Sequence, residues 1–203
     1  MFLEIHADNP DQRQIELIVK TLNEGGIIIY PTDTVYALGC SIDQKQAIEK
    51  LCALKKIDPD KALLTFICSD ISQVASYARP IDTTIYRVMK RNLPGPFTFI
   101  LEANNEVPRL IKGRKKTIGI RIPDNKVVQS IVEALGKPML SASLKSYDDI
   151  QEYYTNAFDI YEEYQHQVDI VVDGGLGHLD ASTIVDCSEN ELNIIRQGIK
   201  ELI

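Results

Sequence analysis

The stretch Ile27-Ile28-Ile29-Tyr30 constrains the fold of this chain more than any other. Four large apolar residues, three of them β-branched, follow one another without a polar interruption, so the strand they form is buried on both faces. A strand of that kind belongs inside a sheet with other elements packed on both sides. The residues just before it provide one such element. Pro10 to Asn23 places Ile15, Ile18, Val19 and Leu22 at helical spacing behind the polar Asn9-Pro10-Asp11, and Gly25-Gly26 stops the helix.

The rest of the chain repeats these two patterns. After a loop from Pro31 to Gly39, Ser41-Ile42-Asp43 is expected to cap a helix carrying Ala47, Ile48, Leu51 and Leu54 on one stripe, closed by Lys55-Lys56. Strands are predicted over 63–68, 97–101, 117–121, 138–143, 168–172, 182–186 and 192–196, and helices over 71–77, 82–91 and 126–135, the last ended by Gly136. A polar, tyrosine-rich stretch over roughly 146–165 carries no assignment. Helices and strands alternate early and strands cluster late, which predicts an α/β fold: a large twisted mixed sheet with flanking helices. Parallel pairing is expected in the early half, where the crossovers are long enough.

No repeat, low-complexity tract or linker divides the sequence, so residues 1–203 are read as a single domain without an additional C-terminal one. Hydrophobic residues make up 44% and charged residues 25%, a balance that argues against disorder. The N-terminus lacks a cationic start followed by an apolar run, and no stretch is long enough to span a bilayer, so a cytoplasmic protein with no membrane partner is expected. Cys40, Cys52, Cys68 and Cys187 are widely spaced and read as buried free thiols. His6, His166 and His178 form no metal-ligand spacing, so no metal site is expected.

A formal net charge of −7 and a pI near 5.0 oppose wholesale capture of nucleic acid. The distribution is uneven, because Arg109, Lys112, Arg114, Lys115, Lys116 and Arg121 stand together and provide a local positive face.

Five segments share one character: a strand end or turn offering hydroxyls, backbone N–H groups or a cation where an anion can be held. They are Tyr30-Pro31-Thr32-Asp33-Thr34-Val35-Tyr36-Ala37-Leu38-Gly39, Pro94-Gly95-Pro96-Phe97-Thr98, Lys116-Thr117-Ile118-Gly119-Ile120-Arg121-Ile122-Pro123, Met139-Leu140-Ser141-Ala142-Ser143 and Ser182-Thr183-Ile184-Val185-Asp186. Taken singly, each has a bland reading as well; Asp33 and Thr34, for example, also suit a hydrogen-bonded turn.

In their order and content the five resemble the YrdC/YciO family, whose members carry a PT(D/E)TVYGLG-like loop, a PGP(F/Y)T turn, an arginine-bearing strand and a late STVVD segment. The resemblance covers roughly residues 10 to 200. It implies a YrdC-like twisted mixed sheet with a deep cationic concave face. It also implies an association with double-stranded RNA or with tRNA modification. Family enzymes make threonylcarbamoyl-adenylate from L-threonine, bicarbonate and ATP, with Mg²⁺ accompanying the nucleotide and no redox cofactor. Carried over by position, Thr32, Lys61, Arg121 and Ser182 would hold the amino-acid substrate, and Lys55, Thr117, Ser141 and Arg196 would face the nucleotide. No catalytic residue follows from the pattern, since the chemistry needs positioning and charge stabilisation rather than a covalent intermediate.

The chain departs from the synthase pattern twice. The KxR motif reads Lys55-Lys56-Ile57, and the SxN motif reads Ser141-Ala142-Ser143. Each lost contact to a charged ligand is worth about 1.5–3 kcal/mol, so synthesis is expected to be slow, and the chain looks closer to the YciO branch. Two readings follow. One is a binder of ATP or threonylcarbamoyl-adenylate with diverged synthase or adenylate-hydrolase chemistry; the other is a non-catalytic double-stranded RNA or tRNA binder.

Overall fold

The computed structural model describes residues 1–57, 64–108, 111, 116–145 and 153–203. Its elements run β1 (Phe2–Glu4), α1 (Gln12–Asn23), β2 (Ile27–Tyr30), β3 (Ala37–Ser41), α2 (Lys45–Leu54), β4 (Thr65–Ile67), α3 (Ile71–Ala75) and α4 (Thr83–Asn92). They continue with β5 (Phe97–Glu102), β6 (Thr117–Arg121), α5 (Lys126–Leu135), β7 (Met139–Ser143), α6 (Ala157–Tyr164), β8 (Ile170–Asp173), β9 (Thr183–Asp186) and β10 (Asn193–Arg196). The strands form one mixed ten-stranded sheet in the order β1-β8-β2-β3-β7-β4-β6-β5-β9-β10.

Strand alternation divides the apolar residues between two faces. Ile27 and Ile29 of β2, Val171 of β8 and Phe66 of β4 point to the face covered by α2, α4 and α6, where Leu51, Met89 and Ile160 are wholly buried. Ile28 and Tyr30 of β2 and Val172 of β8 point to the opposite face, covered by α1 and α5 through Ile18, Leu22, Ile131 and Val132. Each of these fully buried side chains contributes roughly 1.5–3 kcal/mol relative to exposure. Asp11 caps α1 by accepting from the Arg13 N–H at 2.8 Å, as the polar lead-in predicts.

Three sequence expectations need correction. Ser41 does not cap α2; it is the last residue of β3, and α2 begins after Gln44, whose side chain makes no capping bond. Strands β1 and β3 were not expected: β3 (Ala-Leu-Gly-Cys-Ser) contains no β-branched residue, and β1 is three residues long. Parallel pairing is not an early-half feature, because β2 and β3 pair antiparallel and three of the four parallel ladders, β1–β8, β2–β8 and β5–β9, join an early strand to a late one. The large sequence separation between these partners supplies the crossover length that parallel pairing needs. Within the unassigned stretch, Asn156 caps α6, while 146–152 lie outside the described residues. The four cysteines are buried and none forms a disulfide among the described residues. Among the described residues no helix is long and apolar enough to cross a membrane.

Candidate functional site

α1 and α5 pack on the half of their face that centres on β8, β2 and β3. On the other half, over β7, β4, β6, β5 and β9, lies a hollow of about 380 Å³. The ladder registers make its floor. Thr65 of β4 stands opposite both Gly119 and Ser141, and Ile67 stands opposite Arg121, so these side chains share one face and reach the same cavity. Its walls hold the cations Lys55, Arg121, Lys145 and Arg196 and the hydroxyls of Thr65, Thr98, Ser141, Ser143 and Ser182. Ala37, Ile57, Ile67, Ala142, Tyr153 and Ile184 complete the lining, and among the described residues no carboxylate belongs to it.

Arg121 ends β6 and is almost fully buried. Its Nη2 donates to Asp33 Oδ1 at 2.5 Å, and Asp33 Oδ2 also accepts from the Asp124 backbone N–H at 3.0 Å. Asp33 thus ties the loop after β2 to the end of β6 and to the approach to α5. The Arg121 Nε is buried without a hydrogen-bond partner, an uncommon arrangement for a buried donor.

Ser141 is fixed from below. The Tyr30 hydroxyl donates to Ser141 Oγ at 2.6 Å, reaching from β2 across β3. Gly39 of β3 makes that crossing feasible, because a Cβ there would come within 2.8 Å of both Tyr30 Cε1 and Met139 Sδ. Burial raises the Tyr30 pKa, so its hydroxyl stays protonated.

At the other end, Ser182 Oγ and Thr98 Oγ1 share a hydrogen bond of 2.8 Å. Arg196 donates to the Ser182 carbonyl through Nε at 3.1 Å and Nη2 at 2.8 Å. The Pro94-Gly95-Pro96 turn sets this pair in place. Gly95 N–H donates to the Ile122 carbonyl at 2.9 Å, and the Pro96 carbonyl accepts from Thr183 N–H at 3.0 Å, joining the end of β6 to the start of β9. A Cβ on Gly95 would meet the Asn92 carbonyl oxygen at 2.5 Å.

Lys55 follows α2 and donates from Nζ to the Ser143 carbonyl at 2.6 Å. Burial, and then the charge of Lys145, hold its pKa below the ordinary lysine value. A wall that, among the described residues, holds four cations and no carboxylate, above a floor of hydroxyls, is suited to an anion.

Comparison with known proteins gives the chain its relatives. The family model Sua5_yciO_yrdC, described as telomere recombination, matches residues 20–198. The chain belongs to the Sua5/YciO/YrdC family. Among family members, it is 41% identical to an uncharacterized Haemophilus influenzae protein over 97% of this chain and 95% of that one. It is 39% identical to Escherichia coli YciO over 99% and 97% of the two chains. A threonylcarbamoyl-AMP synthase of Serratia proteamaculans is 33% identical over 70% of this chain and 80% of its own. The crystal structure of E. coli YciO superposes with a TM-score of 0.92 at 37% identity, covering 99% of this chain and 97% of that one. P. abyssi Sua5 complexed with L-threonine shares the fold, with a TM-score of 0.87 at 23% identity over 98% of this chain and 57% of its own.

Of the residues that the Sua5/YciO/YrdC resemblance singles out, Lys55, Arg121, Ser141, Ser182 and Arg196 all line this one hollow. Thr32 is not in the lining. Its hydroxyl is used within the loop, donating to the Val35 carbonyl at 2.8 Å and accepting from Thr34 N–H at 3.0 Å. Thr117 opens β6 opposite Glu102 and is likewise outside the lining. Lys61 lies outside the described residues, as do Arg109, Lys112, Arg114 and Lys115 of the basic cluster. The departures from the synthase pattern both fall in this lining, at Ile57 and Ser143. Sequence reasoning missed Lys145, Thr65 and Tyr153 there, and it set Asp33 aside. Alternation along β4 could have found Thr65, whereas Asp33 is placed only by the fold.

Proposed function

We propose that the hollow binds ATP and the acyl adenylate threonylcarbamoyl-AMP, and that the chain keeps the adenylate site of a threonylcarbamoyl-AMP synthase with little of its synthetic rate. One observation carries this reading: Lys55, Arg121, Lys145 and Arg196 converge on a hydroxyl-floored cavity that no carboxylate lines among the described residues. The relationship to the Serratia proteamaculans threonylcarbamoyl-AMP synthase supports it.

In the forward reaction L-threonine and bicarbonate give a carbamate and water. A carbamate oxygen then attacks the α-phosphorus of ATP, and the bond to pyrophosphate breaks. The cations offset charge on the phosphoryl oxygens and on the departing pyrophosphate, and the hydroxyls orient the phosphate. Mg²⁺ would enter on the nucleotide, held by its phosphates and water, since the lining offers it no carboxylate among the described residues. Ile57 and Ser143 in the wall stand where the synthase pattern has a guanidinium and an amide, which supports a reading of binding or slow turnover over efficient synthesis. ATP and L-threonine as substrates fit a cytoplasmic protein that supplies tRNA N6-threonylcarbamoyladenosine modification.

The test is one incubation with ATP, L-threonine and bicarbonate, following pyrophosphate release, together with a second following decay of added threonylcarbamoyl-AMP. Slow turnover in either, with thermal stabilisation by ATP, supports the reading. No stabilisation at millimolar ATP and no turnover reject it. The alternative of duplex RNA or tRNA binding without catalysis rests on the Arg109 to Arg121 cluster. It requires RNA affinity that falls steeply with salt.

A further inference from the structure

We infer that Tyr30 is a positioning residue of the hollow: by donating to Ser141 it makes Ser141 a fixed hydrogen-bond donor, so that the floor selects ligands presenting an acceptor oxygen, such as a phosphate. The inference rests on the adenylate-binding reading and names the chemistry of one contact within it.

A serine hydroxyl has one proton and two lone pairs and ordinarily rotates to suit its neighbour. Ser141 does not have that freedom. Tyr30 is completely buried, its hydroxyl proton is directed at Ser141 Oγ over 2.6 Å, and a buried phenol remains a donor. Ser141 Oγ therefore accepts from below, and among the described residues no acceptor takes its own proton. That proton is left for the cavity that Ser141 lines. A ligand acceptor completes the chain of two hydrogen bonds, each polarising the other, whereas a ligand donor has only the second lone pair to use and leaves the Ser141 proton without an acceptor among the described residues.

The device is built across three strands. Gly39, at the position opposite Ser141 in the β3–β7 ladder, leaves the space through which the Tyr30 ring passes. Tyr30 itself does not line the hollow, so it acts only through Ser141.

The experiment compares wild-type protein with Tyr30→Phe by calorimetric titration with AMP and with adenosine, which differ by the phosphate. Tyr30→Phe is expected to weaken AMP about tenfold and leave adenosine unchanged. In the double variant Tyr30→Phe/Ser141→Ala, AMP binding should be no weaker than in Ser141→Ala alone. Equal loss for AMP and adenosine, or no loss for either, overturns the inference while leaving the adenylate site standing. Should Tyr30→Phe fail to fold, Gly39→Ala, which keeps both hydroxyls but displaces the ring, must show the same AMP-selective loss. Wild-type protein that binds neither AMP nor ATP overturns the adenylate-binding reading, and this inference with it.

Discussion

Asp33 and Arg121 stand 88 positions apart in the chain, yet their side chains meet at 2.5 Å with only 8% and 7% of their surfaces exposed. A buried pair of this kind is not a large net source of stability, because both ions have left water. Removing one partner is another matter. The guanidinium already carries an unpartnered Nε, so Asp33→Ala would leave it buried without a counter-ion. The expected loss is about 3–5 kcal/mol in urea or guanidinium unfolding. Asp33→Asn keeps an acceptor for Arg121 and for the Asp124 N–H, and its loss should be clearly smaller.

Gly39→Ala tests the crossing of Tyr30 over β3. The added methyl would lie 2.8 Å from both Tyr30 Cε1 and Met139 Sδ, in a wholly buried layer that cannot give way without moving a ring. Overpacking of this kind costs about 1–3 kcal/mol. A denaturation midpoint equal to that of the wild type would show that the layer is looser than the distances require.

Alkaline pH should weaken the fold. Burial pushes the thiols of Cys40 and Cys187 up to about 12 from an ordinary value of 9.0, and it raises Cys68, Tyr30 and Tyr36 as well. Above pH 9 the unfolded chain releases protons that the folded chain retains, so the folded state binds more protons and stability falls as pH rises. Lys55, with its pKa lowered by burial, acts in the opposite sense but is one half-buried group against five. The loss by pH 10 is expected to be about 1 kcal/mol per buried thiol, read from urea midpoints at pH 8 and pH 10. The same burial predicts that a thiol reagent labels the native protein slowly and the unfolded protein at all four cysteines.

The parts of this fold that could be read in the sequence are those where local pattern and tertiary role agree. Ile27 to Tyr30 reads as a doubly buried strand and is one, and α1 and α5 show their stripes and caps plainly. β3 could not be read, because it holds no β-branched residue and its central Gly39, a weak strand former, leaves room for the Tyr30 ring. The site divides in the same way. Arg121, Ser141 and Ser182 sit in segments whose order carries the family signal, and the fold gathers them with Lys55 and Arg196. The bonds that orient them join residues far apart in sequence that only the tertiary fold brings together: Tyr30 to Ser141, Thr98 to Ser182 and Asp33 to Arg121. In the loop after β2 the motif drew attention to Thr32, yet it is the neighbouring Asp33 that reaches the arginine of the hollow.

Ile57 and Ser143 provide the most direct test of the proposed slow synthesis. Both line it, and in the synthase pattern their positions hold an arginine and an asparagine. The Ser143 carbonyl also anchors Lys55 Nζ at 2.6 Å, a contact made by backbone that survives a change of side chain. Ile57→Arg with Ser143→Asn therefore restores two polar groups without disturbing the existing cation. Each hydrogen bond to a charged phosphate is worth about 1.5–3 kcal/mol, so each substitution should raise pyrophosphate release from ATP, threonine and bicarbonate by roughly tenfold to a hundredfold. A rate unchanged in the double variant would mean that these two positions are not what limits synthesis, and the lesion would then have to be sought elsewhere in the wall.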